Sequence, residues 1–364
     1  MGAEKLEYLP DTERPFTTTM PFNRNYGAGH EETLLYRALV ALPILVLGYL
    51  CCVALGTVIY HDGVTSLVGS AIATGNPDFG SNRTFELLPT YHGGMTWLDS
   101  IWRAPIIAFS SATLGIDLVQ RLQMISFLVD LAPVYLILIL EGQRRANSVA
   151  FARFPLAFAI ASQLYSIGCI GPLYYFLHCV QSPLSQSIAS DMRLINVAYA
   201  RTALAALCMA YMVPAIVMYF APSAATRISI NAVWQVFPIL VASRHWMLAT
   251  YLVDDPTPSA RIHNTTADLS SIRITTMALI LISTMAFNWI RFTSPVPIST
   301  MLCPTSNFLS AFYGNIMSRS LDLDLVSDIA MLLKLDYHSR FTASYAWLAL
   351  LFRDLGAAKM VSTT

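Results

Sequence analysis

The chain has 364 residues, 55% of them hydrophobic and 12% charged, with 22 basic and 22 acidic side chains and a mean hydropathy of +0.54. Soluble domains carry about 25% charged residues, so this chain cannot cover a water-facing surface and reads as an all-α, polytopic transmembrane helix bundle. Its zero formal net charge excludes an electrostatic claim on nucleic acid and a polybasic hold on a membrane surface.

Residues 1–34 are polar, mixed in charge and dotted with Pro and Gly, without the basic start and short apolar core of a cleaved leader. They are expected to form an N-terminal tail, with the first span, 36–60 (YRALVALPILVLGYLCCVALGTVIY), acting as its own anchor. A polar loop runs from His61 to Gly94. Residues 95–115 hold Asp99, Arg103 and Pro105 close together in a short apolar run, which predicts a re-entrant or interfacial helix. Further spans are predicted at 120–141, 154–179, 194–220, 229–252, 272–292 and 339–357, the last preceded by an amphipathic piece near Val326–Leu335. The expectation is about seven spans, within a range of about six to eight. They would form a single transmembrane helical domain over 35–357, followed by a tail at 358–364.

The 142–153 loop holds Arg144, Arg145 and Arg153, which the positive-inside tendency places in the cytoplasm. Counting crossings from there puts the 61–94 and 253–271 loops on the opposite, lumenal side. Those loops carry the sequons Asn82-Arg-Thr84 and Asn264-Thr-Thr266. An integral protein of the endoplasmic reticulum, glycosylated at Asn82 and Asn264, is the expectation. Cys51, Cys52, Cys169, Cys179, Cys208 and Cys303 lie mostly in apolar segments with no CxxC pair, as packing thiols do.

Ionisable groups at membrane depth default to a functional reading. Asp99 with Arg103 and Asp117 with Arg121 have the i,i+4 spacing of self-neutralising pairs, while Arg201 and Arg244 can snorkel or anchor a carboxylate. Asp130 and Glu141 are eleven residues apart, close to three helical turns, so they share a face about 16 Å apart along the axis. Pro133 between them is expected to bend that helix. Glu141 is within one turn of Arg144 and Arg145, which suits either a helix-end salt bridge or an active site. In 154–179, Gln163, Ile167, Ile170, Tyr174 and His178 recur at the 4-3-4-4 spacing of one helix face. Pro172 leaves the Gly168 carbonyl without its donor, and Gly168 and Gly171 let another backbone come close. Such a polar stripe lines a cavity or acts as hydrogen-bond glue between helices.

No HExxH, spaced His box, GxSxG, GxGxxG or P-loop occurs, and Asp254-Asp255 lacks the third carboxylate of a DDxxD cluster. Asp322-Leu-Asp324 with Asp328 reads as a solvated connection or helix start. No metal and no cofactor is expected on these grounds.

Glu141-Gly-Gln-Arg144-Arg-Ala-Asn147, Phe154-Pro155, Gln163, Gly168 and Gly171-Pro172-Leu-Tyr174-Tyr175-Phe176 resemble a pattern in larger fungal integral-membrane terpene cyclases. These are the ascofuranone- and macrophorin-type enzymes and their meroterpenoid and indole-diterpene cluster relatives. Leu333-Lys-Leu-Asp336-Tyr337 and Ala343…Ala346-Trp347-Leu-Ala349-Leu350 resemble that family's final motif. The resemblance implies cyclisation of a lipophilic prenyl chain, often epoxidised, on an aromatic or polyketide-derived head, started by protonation and independent of diphosphate. A buried carboxylic acid that stays protonated can start such chemistry, and aromatic faces can steady a cation. The expected catalytic residues are Glu141 and Asp336 as an acid/base pair near the cytoplasmic side, with Asp130 in reserve. Gln163, Tyr174, Tyr175, Arg144, Asn147, Trp347 and His178 would contact the substrate. The competing class is a transporter or scaffold of a secondary-metabolite pathway, and the oligomeric state is left open.

Overall fold

An apolar segment in lipid must satisfy its backbone internally, and the long apolar runs of this chain do so as helices. The computed structural model describes residues 33–59, 62–75, 90–182, 192–253, 264, 266–302 and 325–362. Asn82, Asp254, Asp255, Cys303, Asp322 and Asp324 lie outside the described residues.

The helices are α1 (Leu34–Ile59), α2 (Asp62–Thr74), α3 (Thr96–Leu114), α4 (Leu118–Glu141), α5 (Pro155–Tyr165) and α6 (Ile167–Gln181). They continue with α7 (Val197–Phe220), α8 (Ala224–Gln235), α9 (Phe237–Tyr251), α10 (Leu269–Thr293), α11 (Ile298–Leu302) and α12 (Leu325–Ser362). Among the described residues the only β pairing is the isolated bridge Arg144–Ile195. A widened π turn at Cys208–Met212 interrupts α7 just before Pro214, the kind of local adjustment a proline forces on a helix.

Among the described residues four helices are long and apolar enough to cross a membrane, α1, α4, α7 and α10. A fifth span results if α8 and α9, which meet at 68°, are one bent crossing. The all-helical, membrane-compatible class is thus shown, while seven spans are not confirmed among the described residues. The stretch 154–179, expected as one span, is not among these candidates. That stretch folds as two short helices hinged at Ser166, whose φ is +78°. At 11 and 15 residues, α5 and α6 are about 16 and 22 Å long, each less than the roughly 30 Å hydrocarbon core.

Both outer ends of this α5–α6 hairpin return to the C-terminal end of α4. A Cβ on Gly142 would fall 2.7 Å from Pro155 Cδ, and the Phe151 N–H donates to Gln181 Oε1 at 2.8 Å. The hairpin's two ends therefore lie together at one end of α4, where a single span would have set them at opposite ends. Asp268 Oδ2 accepts the N–H of Ile195 at 2.9 Å, and Ile195 is bridged to Arg144. Asp268 and nearby Asn264 accordingly belong to the same end of the bundle as the 142–153 arginines. Counting crossings from the arginines sets the Asn264 loop on the other side, whereas here Asp268 and Ile195 meet beside Arg144.

The central helix is α4, buried on most sides and running through Pro133 without a break. It meets α3, α7, α10 and α12, while α1, α6 and α12 pack mutually. Gly48 of α1 makes room for Pro172 of α6, since a Cβ there would fall 2.8 Å from Pro172 Cβ. Large apolar side chains that protein does not cover include Leu39 and Val46 on α1 and Ile274, Met277, Leu281 and Met285 on α10. Patches of this kind suit a hydrocarbon surrounding.

Two expected ion pairs are replaced. Asp99 is taken by His92, with Nδ1 at 2.6 Å, and by the N–H groups of Tyr91 and His92. Asp117 caps α4 through the N–H groups of Val119 and Gln120, and Arg121 instead reaches the Tyr219 carbonyl. Local donors outcompete the i,i+4 partner in both cases. Arg201 and Arg244 are exposed. Among the described residues Cys51, Cys52, Cys169 and Cys208 are thiols outside any disulfide.

Candidate functional site

A polar seam follows one face of α12, through Asp336, Arg340, Ser344 and Trp347. Their spacing keeps them in register on a single helical face, and each meets α4 or α6.

At the first end of the seam, Asp336 accepts hydrogen bonds from the Ser166 hydroxyl and the Gly168 N–H. The carboxylate thus caps the N-terminus of α6 from another helix, where orphan N–H groups and the helix dipole favour negative charge. Gly168 is required for this approach, because a Cβ there would lie 3.0 Å from Asp336 Cα and 2.9 Å from Cys51 Sγ. Pro172 withholds a donor from the Gly168 carbonyl, and Ser339 Oγ replaces it at 2.7 Å.

At the other end, Glu141 closes α4 in a bidentate pair with Arg144, Nη2 to Oε1 at 2.6 Å and Nε to Oε2 at 2.8 Å. Asn147 Nδ2 donates to Oε2 at 3.0 Å and to the Glu141 carbonyl at 2.9 Å. His178, buried near the end of α6, places Nε2 3.4 Å from Glu141 Oε2. The Trp347 indole N–H donates to His178 Nδ1 at 3.3 Å. An indole nitrogen can only donate, so Nδ1 accepts and the ring proton sits on Nε2, facing the carboxylate. Trp347 also stacks on Tyr175 at 5.0 Å, whose hydroxyl meets Ser344 Oγ at 2.9 Å. Tyr174 is fully buried between Phe158 and His178, and its hydroxyl has no hydrogen-bond partner.

Midway, the Tyr337 hydroxyl donates to Asp130 Oδ2 at 3.1 Å. Arg340 lies over the rings of Phe127 at 4.7 Å, Tyr337 at 5.3 Å and Phe341 at 4.6 Å.

Glu141, Arg144, Asn147, His178, Trp347, Tyr174 and Tyr175 therefore come together as one cluster. Gln163 does not belong to the same helix face, because the turn at Ser166 separates it from Tyr174 and His178; its buried Nε2 is unpartnered. Glu141 and Asp336 do not form a pair. Asp336 caps one end of α6 and Glu141 meets His178 near the other, ten residues from Gly168, about 15 Å along the helix. Asp130 is separate from both. Sequence reasoning missed Arg340, although its i+4 spacing from Asp336 in an apolar run was a usable signal. It also missed Ser166, for which no local signal existed.

The CtvD domain family model matches residues 38–363. The chain is 28% identical over 377 residues to the FAD-dependent monooxygenase verC1 of Penicillium polonicum, covering 100% of this chain and 43% of that protein. It is 28% identical over 366 residues to the FAD-dependent monooxygenase anuJ of Penicillium roqueforti, covering 99% and 41%. With the FAD-dependent monooxygenase BOA8 of Botryotinia fuckeliana it shares 28% over 286 residues, covering 78% and 30%. The chain thus spans less than half the length of these relatives. No solved structure matches.

These matches overturn the terpene-cyclase resemblance and, with it, the isomerase or lyase chemistry. Names of oxidative enzymes, not cyclases, attach to the similar proteins. Nothing in them supports a transporter or scaffold either.

The flavin those names imply does not fit this chain. A dinucleotide is held by a glycine-rich turn between a strand and a helix, its pyrophosphate on the helix N-terminus. GxGxxG is missing from the sequence, and the described residues contain no strand. The N-terminus of α6 is already filled by Asp336 and that of α4 by Asp117.

Proposed function

We propose, from the premise that the chain belongs to the CtvD domain family, that it is the membrane-embedded, substrate-holding part of an oxidative enzyme related to FAD-dependent monooxygenases. The observation that carries this reading is the union of oxidative relatives with a polar cluster, Glu141, His178 and Tyr174, set inside an apolar bundle. A lipophilic substrate enters from the membrane and places an oxygen-bearing group against that cluster. Arg144 and Asn147 hold the Glu141 carboxylate, Trp347 fixes the His178 ring, and the free Tyr174 hydroxyl donates to the ligand. Tyr175 supports Trp347 by stacking. No flavin step is assigned to these residues.

The protein works in the endoplasmic reticulum membrane, with Arg144, Arg145, Arg153 and the Asn264 loop together on the cytoplasmic side. Deleting the gene in its host, with accurate-mass comparison of extracts, tests the functional reading. The expected result is loss of an oxygenated metabolite and accumulation of a lipophilic precursor with fewer oxygen atoms. Accumulation of a compound with the same molecular formula as the lost product would reject it, as an unchanged profile would.

A further inference from the structure

Arg340 is 0% exposed, and its Nε and Nη2 have no hydrogen-bond partner. Its Nη1 makes one long bond, 3.4 Å, to the Phe127 carbonyl. A guanidinium is always charged, and a buried charge is costly unless paired and hydrogen-bonded. Two carboxylates lie near enough to do this. Asp336 is one turn earlier on the same face of α12, but it is committed to the α6 cap. Asp130 is held by Tyr337. Among the described residues neither makes an ion pair with Arg340. Aromatic faces supply cation–π attraction, but they cannot accept in the plane of the guanidinium, where the unpartnered Nε and Nη2 lie.

Asp130, Tyr337 and Phe341 are half-buried while Arg340 behind them is sealed. Asp130 is near the middle of α4, a span candidate, and ionisable groups at such depth mark substrate sites. Asp130 and Glu141 are about 16 Å apart along α4, so this place is separate from the cluster at the helix end.

We propose that Arg340 anchors the uncharged oxygen-bearing head, a ketone, ester or lactone carbonyl, of a lipophilic ligand bound between α4 and α12. Its Nε–H and one Nη2–H lie on the same edge of the guanidinium and can both donate to one carbonyl oxygen. Phe127, Tyr337 and Phe341 suit a conjugated or apolar neighbour. An anionic head is disfavoured, because Asp130 and Asp336 already share the field of the single guanidinium. The inference deepens the reading above by naming the substrate class, and it rests on that reading only for the lipophilic character of the ligand.

The test is thermal unfolding of the full chain, purified in detergent, with methyl laurate, laurate or dodecane. Methyl laurate is expected to raise Tm by several degrees more than dodecane or laurate. Arg340→Met should abolish that difference while leaving the ligand-free Tm equal or higher, since an apolar replacement relieves an unpaired buried charge. Arg340→Lys should retain part of the difference. Equal shifts for ester and alkane, a stronger response to laurate, or a collapse of the ligand-free Tm in Arg340→Met would each overturn the proposal. The last result would mean that the guanidinium serves packing alone. No catalytic readout enters, so the outcome is independent of whether the oxidative reading survives.

Discussion

The indole N–H of Trp347 and Nδ1 of His178 are 3.3 Å apart, and this one contact decides which nitrogen of the imidazole carries its proton. The proton is directed at Glu141, which Arg144 holds from the other side. Trp347→Phe keeps the stack on Tyr175 but removes the donor. Without that donor the imidazole is free to turn or change tautomer. About a tenfold drop in oxygenated metabolite per unit of protein is expected, measured by quantitative mass spectrometry against immunoblot, with Tm nearly unchanged.

Gly168→Ala should be poorly tolerated, because the new methyl would meet Asp336 Cα and Cys51 Sγ. Overpacking against backbone costs about 1–3 kcal/mol. Gly171→Ala is the control: its nearest contact is Ile167 of its own helix, at 3.7 Å. Thermal unfolding in detergent should separate the two variants clearly, and equal effects would mean that α6 and α12 do not approach at Gly168.

Asp336→Asn and Asp336→Ala should differ. Asparagine keeps an acceptor for Ser166 and Gly168, whereas alanine removes the cap, at a cost of about 0.5–2 kcal/mol. Metabolite output per folded protein should stay within about twofold for Asp336→Asn, in line with a capping role for the carboxylate. A hundredfold loss at unchanged Tm would return Asp336 to the chemistry.

Asp99, in α3 and outside the candidate spans, gives a pH signature. Burial pushes its carboxyl up, but the His92 ring and the N–H groups of Tyr91 and His92 outweigh burial and hold it below the usual value. A carboxyl depressed by folding stabilises the protein above its unfolded pKa, about 3.9 for Asp. That contribution is lost as pH falls through the folded value. Protection factors at residues 91–99, taken against the intrinsic exchange rate at each pH, should therefore be high at neutral pH and fall in acid, and Asp99→Asn should lose this dependence.

The α5–α6 hairpin makes a topological prediction. In an Asn82→Gln background, Asn264 should remain unglycosylated, so endoglycosidase should leave gel mobility unchanged. A mobility shift would put Asn264 in the lumen, against its neighbour Asp268 and the bond to Ile195.

The long helices were legible because their apolar runs exceed what a soluble helix needs, as at 36–60 and 272–292. The hairpin was not. Its combined apolar length matches one span, and Pro172 looked like the interruption while Ser166, a non-glycine residue at positive φ, made the turn. The pairing of Asp336 with Gly168 crosses 168 residues, a distance that local pattern does not reach. Gly168, Pro172, Tyr174 and Tyr175 did point to a real place, a close helix crossing beside a polar cluster. They specified packing rather than reaction, and a pattern of packing residues does not name a chemistry.

The most direct measurement is to feed isotope-labelled dioxygen to the host and compare wild type with Glu141→Gln. The account predicts labelled oxygen in the wild-type metabolite and, in the variant, build-up of a lipophile lacking at least one of those labelled atoms. Build-up of a compound carrying the full complement of label, differing only in ring connectivity, would contradict it.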